Sequence, residues 1–225
     1  MGQAIGSTIS LAIGVALSPL PIIAVVLMLT SERARVNGLV FVLGWLIGLA
    51  VVGTIVLLVA GSASAGEAGT PATWVGWLDV VLGLLVLRAG FRQFRGRPKK
   101  GESPDMPKWL AAVERISPVR ALALAAALAA VNPKNLLLAV AAATSIAQTS
   151  IPGGQQAVAY TVFAVIATIG VAAPVVIYFA LGDRAPHVLG GLKDWMAHNN
   201  AVIMAVLCLL IGVKLIGDAI GVLSS

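Results

Sequence analysis

Asn132-Pro133-Lys134-Asn135 interrupts an apolar run extending from about 118 to 147, and the reading of this tetrapeptide decides the fold. The run is long enough to cross a bilayer, for which about 20 apolar residues suffice. Within it stand a helix breaker, a cation and two amides. A lysine near the middle of a membrane helix costs on the order of 3 kcal/mol on insertion scales. Proline withdraws a backbone donor where no water replaces it. The cluster reads as a binding site at the bilayer midplane, against the plainer reading in which Pro133 only kinks the helix and Lys134 snorkels to an interface. A second break favours the site: the first apolar run, about 5–30, carries Ser18-Pro19-Leu20-Pro21 at its own midpoint.

The composition, 59% hydrophobic and 11% charged, excludes an ordinary soluble domain and identifies an integral membrane protein. The apolar runs suit α-helices, since the ten-residue alternation of an outer-membrane barrel is missing. The single cysteine, Cys208, forms no internal disulfide, CxxC pair or metal cluster, and no cofactor is expected. Met1-Gly2-Gln3-Ala4 places no basic residue before the first run, which is therefore expected to stay as a transmembrane helix rather than a cleaved signal.

Six spans are expected, at about 5–30, 37–61, 72–90, 119–147, 157–181 and 199–223. Basic residues flank them on alternate sides. Arg33 and Arg35 lie in the first connection, the run from Arg88 to Arg120 brackets the third, and Arg184 and Lys193 lie in the fifth, whereas the second carries only Glu67. The positive-inside rule then puts these three connections in the cytoplasm of an inner membrane and both termini outside. The net charge of +6 is explained by orientation and anionic lipid at the cytoplasmic face, so no nucleic-acid partner is invoked. The stretch at 98–105 reads as a linker. Trp109, Leu110, Val113 and Ile116 then recur at helical spacing, as an interfacial helix would. Leu189, Leu192, Trp195 and Met196 allow the same before the sixth span.

The halves resemble each other. Ser18-Pro19 before Ile22-Ile23 parallels Asn132-Pro133 before Leu136-Leu137, and 82–86 parallels 207–211. Two three-span repeats in one chain must be inverted in the membrane, which puts the substrate site between broken helices 1 and 4. The organisation expected is a first repeat at 1–95, a basic linker at 96–118 and a second repeat at 119–225.

Ser18-Pro19, Asn132-Pro133-Lys134, Leu181-Gly182-Asp183-Arg184-Ala185-Pro186, Leu192-Lys193-Asp194-Trp195-Met196, Asn199-Asn200 and 211–216 span nearly the whole chain. In these motifs the chain resembles the lysine-exporter (LysE) superfamily, and within it the actinobacterial GAP or Sap-like branch, the glycopeptidolipid- and sulfolipid-addressing proteins. The resemblance implies a transporter fold and a role in moving envelope lipids or glycolipids. Amino-acid exporters of the superfamily carry a glycine between the prolines where Leu20 stands here, so amino-acid specificity is not carried over.

The expected substrate site comprises Ser18, Pro19, Pro21, Asn132, Pro133, Lys134 and Asn135, with Lys134 meeting an anion and the amides meeting hydroxyls. Asp79, Lys214 and Asp218 form a second candidate group, for ion coupling. Lys214 and Asp218 are four apart on one helical face, ~5 Å and ~10 Å outward of the span's middle. Pairing with each other while snorkelling is the alternative. Pro174 reads as a kink, and Gly44 with Gly48 as close helix packing. A lipid or glycolipid transporter working by rocking of the two halves is the leading reading, and a homodimer is allowed. An exporter of small polar solutes such as amino acids or cations is the alternative. An enzyme has little to stand on, because the spans lack a His/Asp/Glu cluster and His187 and His198 fall near span boundaries.

Overall fold

The computed structural model describes residues 1–64, 73–96, 108–149 and 151–224. Glu67 and the linker at 98–105 lie outside them. Among the described residues the chain is helical and has no strand. Helix α1 (Gly2–Ala16) and α2 (Pro19–Leu29) are followed by α3 (Ala34–Ser64) and α4 (Thr73–Arg95). After a 3-10 segment at Lys108–Arg115 come α5 (Pro118–Ala130), α6 (Pro133–Ala147), α7 (Gly153–Leu181) and α8 (Ala185–Leu223).

Both proline motifs break a helix, as their chemistry requires. Ser18 and Asn132, each held before a proline, leave the helical region with ψ of 106° and 120°, and each caps the helix that the proline starts. The bends are 52° between α1 and α2 and 62° between α5 and α6. Among the described residues, two helical stretches are long and apolar enough to cross a membrane, or up to four if each bent pair counts as one span. One of these stretches, Gly153–Leu223, has 71 residues. Straight, it would reach roughly 100 Å, over three times a bilayer core. It turns at Gly182, whose φ of +50° is open to glycine and strained for other residues. Continuous α8 begins at Ala185, well before the expected span at 199, and Leu189 and Met196 are buried in the protein.

The outside of the bundle is apolar. Leu39, Leu43, Ile47, Val51, Ile55 and Leu58 form an exposed stripe along α3, and Leu209, Leu210 and Val213 do so on α8. Apolar faces of this extent suit contact with lipid rather than water. Inside, small residues bring backbones together. Ala121, Ala125 and Ala129 are fully buried on one face of α5, and a side chain at Gly44 or Gly48 of α3 would run into the α5 carbonyls of Leu122 and Ala126. Gly170 of α7 lies in the same way against the Ala16 carbonyl, at the first break. Pro174 is buried within α7, which continues through it.

The two halves of the chain interleave. Helix α3 packs on α5 and α6, α7 packs on α1 and α2, and α4 packs along α8, so the principal contacts join one half to the other. The 3-10 segment packs on α2, with Leu110 and Val113 buried in the core where an interfacial helix would have left them facing lipid.

Candidate functional site

A helix break orphans the carbonyls of the preceding turn. In unbroken helices the Gly14 carbonyl would accept from the Ser18 N–H, and that of Leu128 from the Asn132 N–H. Here Lys134 Nζ donates to Gly14 O at 2.7 Å, and Asn135 Nδ2 donates to Leu128 O at 3.0 Å. The ammonium thus sits at the C-terminal, negative end of α1, where a cation is favoured. Ser18 Oγ donates to Asn135 Oδ1 at 2.8 Å and ties the two breaks together. Asn132 Oδ1 accepts from the Lys134 backbone N–H at 3.2 Å, an N-cap on α6.

Over these bonds lies a small, partly open cleft, lined by Ser18, Pro19, Leu20 and Pro21 from the first break and by Asn132 and Lys134 from the second. Gln93 of α4 and Asn200 and Met204 of α8 form its other wall. The N-termini of α2 and α6 both meet the cleft and contribute partial positive charge, although Pro19, Pro21 and Pro133 carry no N–H and the Lys134 N–H is taken by Asn132 Oδ1. Lys134, 8% exposed, spends one of the three N–H donors of its ammonium form on Gly14 among the described residues. The arrangement suits an anionic or polar group entering from an apolar surround.

Of the expected residues, Ser18, Pro19, Pro21, Asn132 and Lys134 line this cleft. Pro133 starts α6 at an exposed position and is not part of the lining. Asn135 is fully buried and uses both ends of its amide inside the protein, so it holds the breaks together instead of facing the cleft. Gln93, Asn200 and Met204 were not among the expected site residues. Gln93 stands between Arg92 and Arg95 and reads as part of a basic flank, while Asn200 stood out only within a family motif.

The ion-coupling candidates sit elsewhere. Asp79 precedes Gln93 by 14 positions on α4, and Lys214 follows Asn200 by 14 on α8, so roughly 20 Å of helix separates them from the cleft. Lys214 and Asp218 pair with each other at partly exposed positions. Asp79 is 1% exposed, feels both of their charges, and faces the Gln148 side chain; its Oδ1 and Gln148 Nε2 have no hydrogen-bond partner of normal geometry. This acceptor and donor complement each other in chemistry, one on α4 and the other at the end of α6.

The family model described as "Sap, sulfolipid-1-addressing protein" matches residues 9–221. The chain belongs to this Sap family. No curated protein and no solved structure matches it. The membership and the apolar helices together give a membrane protein with a lipid-related role.

Proposed function

We propose that this Sap-family chain is a transporter, not an enzyme, that moves an amphipathic envelope lipid or glycolipid with an anionic head across the membrane. The observation that carries the reading is the cleft itself, where two half-helix N-termini and the Lys134 ammonium face polar amides inside a lipid-facing bundle. The cleft is partly open to the outside of the bundle, so a head group entering it would leave its acyl chains in the bilayer.

The reading includes six spans in two inverted repeats, with the α1–α2 and α5–α6 pairs each counted as one. Exchange of contacts supports it: α3 packs on α5 and α6 as α7 packs on α1 and α2, and α2 meets α8 as α6 meets α4. Because the halves interleave, rocking them as separate bodies would sever their principal contacts. Alternating access instead moves the α4–α8 pair, which packs chiefly on itself, against the remaining helices. The basic flanks face the cytoplasm in this reading, and cysteines placed at Ser64 and Ser103 test that. The first reacts with an impermeant reagent from outside and the second does not; the reverse pattern inverts the orientation.

Lys134→Met tests the site. It leaves the Gly14 carbonyl unpaired, which costs about 1–3 kcal/mol, and removes a buried charge whose desolvation costs as much or more. Folding is therefore kept while lipid transport per folded protein in liposomes falls at least tenfold. Transport at the parent rate would make Lys134 purely a helix cap. The small cleft also favours a second reading, export of small carboxylate solutes, in which the same liposomes take up labelled amino acids in preference to labelled lipid.

A further inference from the structure

At the far end of the α4–α8 pair from the cleft lies a polar group that the transport reading does not use. Lys214 and Asp218 of α8 pair with each other, so their charges nearly cancel and Asp79 of α4 has no counter-charge of its own. Asp79 is 1% exposed and its Oδ1 has no hydrogen-bond partner, nor has Nε2 of Gln148 at the end of α6. Helix α4 packs on α8 and α6. Among the described residues, α8 brings the charged Lys214 and Asp218 to Asp79 and α6 brings the neutral Gln148. Lys134, the cation of α6, stands 14 positions before Gln148, roughly 20 Å along the helix. Burial takes water from the Asp79 carboxylate, and one neutral amide does not replace it. A carboxyl that carries a proton both donates and accepts, as an amide does, so protonated Asp79 and Gln148 can satisfy each other. No three His, Cys, Asp or Glu side chains among the described residues are grouped to hold a metal ion. A metal cation needs more ligands than this place offers, whereas a proton needs one oxygen.

Building on the transport reading, in which the α4–α8 pair moves against the remaining helices, we infer that Asp79 is a proton-binding site that controls the seam between α4 and the end of α6. With the seam closed, as in this structure, Asp79 is kept from water and carries the proton. On release the O–H bond breaks, its electron pair stays on the carboxylate and water takes the proton. The carboxylate is disfavoured by burial and stabilised by water, so the seam opens and frees the α4–α8 pair from α6. By linkage, whatever closes the seam favours the bound proton, so acid closes it and base opens it. The cleft lies roughly 20 Å away on the same pair of helices. One end of the pathway is thereby held shut while the cleft is open at the other.

Ser145 reports the seam, since it stands three positions before Gln148 on the same side of α6, is 9% exposed and accepts a cysteine at nearly its own volume. Alkylation of Ser145→Cys is followed in the full chain in detergent. Each rate is divided by that of the unfolded protein at the same pH, which removes the thiol's own titration. The parent, whose single cysteine is the buried Cys208, is the blank. One linked proton shifts an equilibrium up to about tenfold per pH unit, so the corrected rate should rise at least about fivefold from about pH 5 to about pH 8. Adding Asp79→Asn, which keeps the shape and cannot ionise, holds the rate at its acid value throughout. Asp79→Ala, equally unable to ionise, decides the question if Asp79→Asn fails to fold. A rate that still rises with pH in these variants, or does not rise while Asp79 is present, overturns the inference. In liposomes of equal pH on both sides, Asp79→Asn should slow labelled phosphatidylglycerol at least about fivefold per folded protein. Movement at the parent rate overturns the control of the seam. The two failures are distinct: a pH-dependent Ser145→Cys in a chain that does not move the lipid overturns the transport reading and leaves the proton site standing.

Discussion

The two helix breaks begin alike and end unlike. Each has a carbonyl orphaned four residues before the cap, Gly14 before Ser18 and Leu128 before Asn132, and each restarts on a proline. Yet both orphans are satisfied from the second break, by Lys134 and Asn135 in the first turn of α6. The first break returns a single hydroxyl, Ser18 Oγ to Asn135 Oδ1, because Leu20 and Pro21 stand where Lys134 and Asn135 stand in the other repeat. Two similar half-sites thus have different duties. The first mainly supplies shape and a helix N-terminus, and the second supplies the bonds and the charge for both.

If that division holds, Asn135→Ala has the largest effect on stability. It strands the Leu128 carbonyl and the Ser18 hydroxyl together in a fully buried place. At about 1–2 kcal/mol for each stranded group, the loss is about 2–4 kcal/mol. Thermal unfolding in detergent is the measurement, and a loss under about 1 kcal/mol would mean that the breaks are held by helix packing and not by these bonds.

Next in size comes the clamp on the first break. Gly170 touches the Ala16 carbonyl two residues before Ser18, whereas Gly44 and Gly48 meet α5 at Leu122 and Ala126, well before Asn132. Overpacking of this kind costs about 1–3 kcal/mol. Gly170→Ala is expected to lower both the melting temperature and the transport rate per folded molecule, since it pushes α7 against the break. Gly48→Ala lowers the melting temperature alone. Equal transport losses in the two variants would show that α3 and α7 support the site equally.

Much of the fold was legible because the deciding chemistry is local. A residue before proline leaves the helical region wherever it stands, so Ser18-Pro19 and Asn132-Pro133 announce both bends, and composition announces the membrane. Gly44 and Gly48 likewise read correctly as close packing. Which side chain caps which orphan was not legible, because Lys134 and Gly14 are 120 positions apart and their meeting depends on how α1 lies against α6. Sequence likeness between halves says nothing of which faces meet, so their interleaving stayed hidden. Gln93 and Asn200 were missed for a related reason: polar residues near helix ends look like ordinary flanks until a neighbouring element closes a cleft over them. Asn135 misled in the opposite sense. An amide beside a buried lysine reads as a ligand group, and only its two internal partners reveal a structural role.

The smallest expected effect is that of Ser18→Ala, and it tests the comparison most directly. The substitution removes one donor to Asn135 Oδ1 and leaves Asn135 Nδ2 on the Leu128 carbonyl. Interhelical bonds inside membranes average about 0.6 kcal/mol by double-mutant cycles. Ser18→Ala should therefore cost roughly 1 kcal/mol or less, well below Asn135→Ala. In the cycle of Ser18→Ala with Asn135→Ala, the second substitution already abolishes the shared bond, so adding the first should cost almost nothing further. Ser18 also lines the cleft while Asn135 does not, so transport per folded protein should respond more to Ser18→Ala than to Asn135→Ala, the reverse of their order in stability. Melting temperatures and liposome rates of the three variants read out both orders. If Ser18→Ala destabilises as much as Asn135→Ala, or the two costs simply add, the first break carries its own weight and the dependence of one half-site on the other is refuted.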